Sequence, residues 1–271
     1  MLQTTRQQVY AHNRRVWNAR VANRLPHTRM ASARDFTAPL RVIDAKGWLG
    51  ASIAGKRVLC LAAAGGLQGI LCAAAGAEVT VVDLSPAMLE QDRRIAVARG
   101  LHVRLIEGSI DDLSMLGDAC FDIVLQPVST CYVPDVLPVY REVARVTVPS
   151  GLYLSQHKQP TSLQASALPG PHGYTINDAY ARSTPLPPVL GHYEHRETGA
   201  LEFLHAWEDL LGGLCRSGFC IEDVQEPPHA DPLAPPGSFG HRSRFLPPYV
   251  AIKARRTPQP VAPAATALVH P

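Results

Sequence analysis

The chain has 271 residues, 46% hydrophobic and 18% charged, a balance that belongs to globular proteins and excludes disorder over most of its length. That length suits one α/β domain with additions. The net charge of +3 is unevenly spread, because residues 1–57 carry eleven Lys and Arg against Asp35 and Asp44, or +9, leaving −6 for the remainder. These arginines are spaced rather than blocked, which reads first as a solvated face and only second as a surface for nucleic acid.

In chain order, the opening MLQTTRQQVYAH has no apolar core of the kind a secretory signal needs. Residues 5–25 repeat apolar side chains at helical spacing (Val9, Val16, Trp17, Val21, Leu25) and stop at Pro26. Residues 58–77 would satisfy a membrane span by count, with Gln68 their one strongly polar member, but Gly65-Gly66 divides them into strand, turn and buried helix. No membrane association is expected. The six cysteines form no C-x-x-C pair and show no metal-ligand spacing, so a reducing cytoplasm is the expected location.

From Lys56 onward the pattern is regular. Strands are predicted at 57–62, 78–82, 103–107, 121–125 and 151–156, with helices at 67–75, 86–99 and 137–146 between them. Such alternation implies parallel β-α-β units with right-handed crossovers. The regularity fails at 157–200, rich in Pro, Gly and His, which reads as a lid insertion. A helix over Glu202–Ser217, strands at 219–224 and 249–253, and a second Pro-rich excursion at 226–248 follow. The expected class is α/β, a Rossmann-like doubly wound sheet, mostly parallel, with an N-terminal helical segment and Pro-rich lid insertions. One domain is expected over 1–256: a helical cap (1–50), a core (51–156), a lid (157–200) and the rest of the sheet (201–256). The Pro/Ala-rich tail 257–271 is expected to be disordered.

The segment from Val58 to Asp83 carries the chemistry. A buried strand, a glycine turn and a helix start let backbone approach a ligand closely. A second strand then ends in Asp83, whose carboxylate can accept both hydroxyls of a ribose held over that turn.

On these residues the chain resembles the class I S-adenosylmethionine-dependent methyltransferases, in particular the small-molecule group typified by ubiquinone-biosynthesis-like enzymes. VLCLAAAGG stands at that family's cofactor loop and VTVVDLSPAML at its ribose-binding acid and following helix. GSIDDL stands at its adenine-side loop, FDIVLQPVS at its fourth strand, and REVARVTVPSGLYL at the helix and fifth strand beyond. The resemblance covers about 55–156 well and 201–253 loosely. It implies S-adenosylmethionine as cofactor and S-adenosylhomocysteine as product. The residues it assigns to cofactor binding are Ala62, Ala63, Gly65, Gly66, Asp83, Leu84, Met88, Ser109, Ile110, Asp111 and Gln126. It implies methyl transfer to O, N or C of a small-molecule metabolite, and a substrate end beyond strands four and five.

The chain departs from that family at several positions. Cys60 stands where the family has an acid, Ala62 and Ala64 where it has glycines, and Ser109 where it has an adenine-contacting acid. Asp83 and the overall spacing survive, so a reshaped loop that still binds cofactor is expected. Other readings of the same pattern fit less well. A dehydrogenase would need a full G-x-G-x-x-G, and a base-amine methyltransferase Asn/Asp-Pro-Pro-Tyr where this chain has Gln126-Pro127-Val128-Ser129. A cyclase or isomerase that keeps the cofactor without transferring methyl, and an RNA-directed methyltransferase using the basic N-terminal segment, stay open as alternatives.

The candidate catalytic residues are Tyr132, just past the fourth strand, and His157, just past the fifth, with Lys158 beside it to hold an anionic group. An imidazole there could take a proton near neutral pH. Tyr10 and Trp17 lie on an N-terminal helix of the kind that often folds over the cofactor in this family. His192 and His195 lack partner ligands, and no metal is expected.

Overall fold

Short-range capping begins the fold. The Thr5 hydroxyl accepts the Gln8 N–H while the Gln8 side chain accepts the Thr5 N–H, opening α1 (Arg6–Ala22). The computed structural model describes residues 5–63, 65–189 and 195–258. After α2 (Pro39–Ile43) come β1 (Arg57–Leu61), α3 (Gln68–Ala74), β2 (Glu78–Asp83), α4 (Pro86–Arg99), β3 (Val103–Glu107), β4 (Phe121–Gln126), α5 (Leu137–Val146) and β5 (Thr147–Lys158). Then follow α6 (Pro160–Gln164), a wide helical turn over Glu208–Gly212 leading into α7 (Gly213–Arg216), β6 (Phe219–Gln225), α8 (Phe239–Arg242) and β7 (Tyr249–Arg256).

The seven strands form one sheet in the order β3-β2-β1-β4-β5-β7-β6. Strands β1 to β5 run parallel, and β7 is antiparallel to both its neighbours. Both faces are covered, which explains the unbroken apolar run of the central strand. Leu59 and Leu61 of β1 pack towards Val139, Tyr140 and Val143 of α5. Val58 and Cys60 pack on the other face towards Cys72 of α3 and Leu89 of α4. Among the described residues no helix is long and apolar enough to cross a membrane.

Two expectations are corrected by the tertiary packing. Strand β5 does not stop at Gln156 but continues to Lys158, because β7 pairs with it there: His157 lies opposite Val250 and Lys158 opposite Tyr249. The helix expected from Glu202 begins only at Trp207. Over 201–203 the backbone is non-helical and bonded to other partners: the Leu201 N–H donates to Asn13 Oδ1 at 2.9 Å, the Phe203 N–H to the Cys131 carbonyl at 2.7 Å, and the Glu202 carbonyl accepts from the Leu186 N–H. In the stretch from 257 expected to be a disordered tail, the Thr257 N–H donates to the Gly218 carbonyl at 2.9 Å. Residues 259–271, on which the rest of that expectation falls, lie outside the described residues, as do Ala64 and His192.

The glycine turn after β1 is anchored from below. Gly65 and Gly66 both have positive φ, and a Cβ on Gly65 would meet the Met88 carbonyl at 2.8 Å, so the turn lies flat on α4. The Gly66 N–H donates to the buried Asp92 carboxylate at 2.7 Å. Burial pushes the Asp92 carboxyl up to about 7, against the pull of that bond, and nearby Asp83 adds to the rise. The folded protein therefore keeps this proton to higher pH than the unfolded chain. The associated stability is full below the ordinary value of 3.8 and is lost as pH rises through 7. Asp92→Asn keeps an acceptor for Gly66 and removes the titration. Its melting temperature should gain on that of the wild type by about 5 °C between pH 5 and pH 8. Calorimetric scans at both pH values check this, and a difference that stays constant would refute it.

Candidate functional site

The parallel strands end on one edge of the sheet, and the chain order reverses between β1 and its two neighbours, the place where such sheets open a crevice. A cavity of about 300 Å³ lies there. Its floor is Ala62 after β1, Asp83 and Leu84 at the end of β2, and Ser109 and Ile110 after β3. Met88 of α4 and residues 127–129 form its sides. Tyr10, Asn13 and Trp17 of α1 close it from above.

Asp83 is 8% exposed, and its only hydrogen-bond donor among the described residues is the Ser85 N–H, at 2.8 Å to Oδ1. Burial pushes this carboxyl up to about 7, with the Ser85 bond pulling the other way. A desolvated carboxylate with spare acceptor capacity at a cavity wall is costly to keep without a ligand. Ala62 takes φ +49°, a left-handed conformation that side chains disfavour, so the backbone there follows a path suited to glycine.

The N-terminal helix is tied to this floor at three points. Arg6 pairs with Asp111 at 2.6 Å, and the Tyr10 hydroxyl also donates to that carboxylate. The Asn18 side chain accepts from the Ser85 hydroxyl at 2.7 Å. Asn13, itself buried, donates to the carbonyls of Tyr132 and Leu201.

The far end of the cavity is polar. The Tyr132 hydroxyl donates to Glu197 Oε2 at 2.7 Å, and the Trp17 ring meets the Tyr132 ring edge-on at 5.4 Å. Lys158 Nζ donates to the same Glu197 oxygen at 2.5 Å and also to Glu202, whose other oxygen accepts from Arg196 Nε at 2.5 Å. Two cations thus face two carboxylates in a neutral, buried cluster. Burial alone would raise the Glu197 carboxyl, but the Lys158 charge with the Lys158 and Tyr132 hydrogen bonds hold it at about 2. Burial pushes the Tyr132 hydroxyl well above its ordinary range.

Of the residues singled out from sequence, the structure brings Ala62, Asp83, Leu84, Met88, Ser109, Ile110 and Tyr132 to this one cavity. Tyr10 and Trp17 join them. The others sit elsewhere. Ala63 packs with Val58 and Cys60 in the opposite core layer, and Gly65 and Gly66 lie on α4. Asp111 turns to Arg6, Tyr10 and Ser109, the last at 2.5 Å. Gln126 is held in the core, accepting from the Tyr153 hydroxyl at 2.6 Å and donating to Ser129 at 3.0 Å.

His157 is fully buried and does not border the cavity. Nδ1 engages the Thr130 hydroxyl and Nε2 the Ser155 hydroxyl, each at 2.8 Å, and burial lowers its pKa to about 3. The cause is the extra length of β5, which carries His157 inside the sheet. The 226–248 excursion contributes no wall to the cavity. Its Arg242 instead binds the backbone carbonyls of Ser162, Ala165 and Ser166. Among the cavity residues not singled out from sequence are Glu197 and His27. Both come from irregular segments without motif, and only their meeting at one cavity reveals them.

Comparison with known proteins agrees with this geometry. Residues 59–155 match the family model described as a methyltransferase domain. The chain is 40% identical over 181 residues to the uncharacterized methyltransferase YbaJ of Bacillus subtilis (strain 168), covering 64% of this chain and 69% of that protein. It is 32% identical over 119 residues to the ubiquinone biosynthesis O-methyltransferase of Xanthomonas euvesicatoria pv. vesicatoria (strain 85-10), covering 44% of this chain and 50% of that enzyme. The fold superposes on the S-adenosylmethionine dependent methyltransferase of Mesorhizobium loti with a TM-score of 0.61 at 22% identity, covering 82% of this chain and 100% of that one. The extent of the YbaJ match and the methyltransferase domain over 59–155 lead to one conclusion: this chain belongs to the class I S-adenosylmethionine-dependent methyltransferases.

Proposed function

We propose that the protein transfers a methyl group to an O, N or C atom of a small molecule bound in the cavity between Asp83 and Tyr132. The observation that carries this reading is the Asp83 carboxylate, buried at the cavity floor with a single backbone donor. The lining fits the cofactor: an acceptor placed for ribose hydroxyls, apolar sides from Leu84, Met88 and Ile110, and a backbone turn at Ala62 in a glycine-like conformation. When bound, S-adenosylmethionine supplies an electrophilic methyl group and leaves as S-adenosylhomocysteine.

The chain's own residues would hold, orient and dry the reactants. Asp83 would accept the ribose hydroxyls, with Ser109 and Ile110 beside the base. Ala63, Gly65, Gly66, Asp111 and Gln126 would act from behind the lining, shaping the turn and its supports. Tyr132 donates its proton to Glu197, which leaves the phenolic oxygen as an acceptor for an O–H or N–H of the substrate. Glu197, held ionised by Lys158, is too weak a base to take a proton near neutrality and serves to orient Tyr132. Displacement at a methyl carbon gains chiefly from alignment and exclusion of water, which α1 provides by closing the cavity.

Two outcomes test this reading. Asp83→Asn should weaken S-adenosylhomocysteine binding by about 1.5–3 kcal/mol, the scale of a hydrogen bond to a charged group. The wild-type carboxyl is neutral below about 7 and a charged acceptor above it, so wild-type affinity should rise severalfold from pH 6 to pH 8 and the variant's should not. Titration calorimetry at both pH values checks both statements, and unchanged affinity in a folded variant would remove Asp83 from the site. Separately, S-adenosylmethionine with a labelled methyl group, incubated with the protein and a cell metabolite extract, should yield a product heavier by one labelled methyl. Mass spectrometry reads this, and an acceptor converted without label would favour a cyclase or isomerase instead.

A further inference from the structure

On the methyl-transfer reading above, we propose that His27 is the catalytic base, taking the proton of the methyl acceptor, with Glu197 as its positioning residue. No histidine other than His27 borders the cavity among the described residues. Its Nε2 lies 3.6 Å from Glu197 Oε1. The other oxygen of that carboxylate is already taken by Lys158 at 2.5 Å and Tyr132 at 2.7 Å, so Oε1 is the atom left to face the imidazole. The carboxylate–imidazole order is one used to orient a histidine base and to stabilise its charged form.

The backbone supports a functional placement. His27 takes φ +67°, a left-handed conformation uncommon for any residue with a side chain. It is held there by the loop around it, where the Thr28 hydroxyl donates to the Leu25 carbonyl at 2.7 Å and Arg20 to the Pro26 carbonyl at 3.0 Å. Of the five described non-glycine residues with positive φ, two border the cavity, Ala62 and His27. Strain of this kind concentrates where a side chain must be aimed.

The charges around the ring suit a base. Partial burial lowers the imidazole pKa; Glu197 opposes this, while Lys158 and Arg20 add to it. The ring is therefore neutral near pH 7. In the reaction, the acceptor's O–H or N–H proton passes to the ring nitrogen not turned to Glu197. The acceptor's electron pair forms the new bond to the methyl carbon, and the carbon–sulfur bond pair stays on sulfur. The products are the methylated acceptor, S-adenosylhomocysteine and an imidazolium opposite Glu197, which returns its proton to water, the side chain being 49% exposed. Two buried imidazoles are committed elsewhere: His157 to Thr130 and Ser155, His205 to the Thr130 carbonyl.

The test uses the whole chain, with S-adenosylmethionine carrying a labelled methyl group and a cell metabolite extract as the acceptor pool. His27→Gln should lower label transfer at pH 7 by ~10²-fold or more and abolish the acidic limb of the wild-type rate profile, with S-adenosylhomocysteine affinity within about threefold. In the cofactor-free protein, Glu197→Gln should move the NMR titration of the His27 ring to lower pH by about one unit. A His27→Gln rate within about threefold of wild type overturns the proposal. So does a tenfold loss of S-adenosylhomocysteine affinity in that variant, or a His27 titration indifferent to Glu197→Gln. Should wild type transfer no label, the methyl-transfer reading falls, and the base assignment falls with it even if the ring titration responds.

Discussion

The structure depends on β1 being buried on both faces between β2 and β4. Val58, Leu59, Cys60 and Leu61 are all solvent-free, so the strand cannot shift without exposing one core or the other. Its parallel register with β2 places Leu61 opposite Val82 and brings Ala62 beside the Asp83 end. The reversal of strand order at β1 then separates the two outgoing connections and leaves the crevice in which every site residue is found. The Asp83 end of the cavity is thus positioned by strands anchored to a core buried on both faces.

Charge burial is the recurring cost of that position. Asp83 and Asp92 both sit where burial raises their carboxyls to about 7, one at the cavity floor and one under the glycine turn. At the opposite end, Lys158 sits 2% exposed between Glu197 and Glu202. A buried pair of this kind gives little net stability but is expensive to break, which makes it a good fixture for a group that must not move. Here the fixture holds Glu197, and Glu197 holds Tyr132.

The unusual cofactor loop is explained by its surroundings. Cys60, where relatives of this type have an acid, is sealed into the core beside Cys72, so a carboxylate there would lack a partner. Asp92, reaching from α4, supplies a carboxylate to the loop instead and binds Gly66 directly. Ser109 leaves its own hydroxyl on Asp111, which α1 holds through Arg6 and Tyr10. Ala62 and Ser109 therefore lie in a cavity that α1 closes, clamped by its bonds to Asp111 and Ser85.

The strand and helix pattern from Lys56 to Gln156 was legible because both periods are local: α4, β3 and α5 have the bounds that the sequence alone implies, and Asp83 announces itself by ending an apolar strand. Those features follow from φ/ψ preference, capping and burial of neighbours in sequence. Three other features were decided only by contacts between residues distant in sequence. Pairing with β7 drew His157 into the sheet, where its ring is buried on Thr130 and Ser155 and does not border the cavity. The Lys158–Glu202 contact and the Asn13 and Cys131 bonds kept 201–203 out of the helix that the apolar spacing implies. Glu197 and His27, 170 positions apart, became neighbours because α1 and the irregular chain after β5 close over the same cavity, a juxtaposition that no local period encodes.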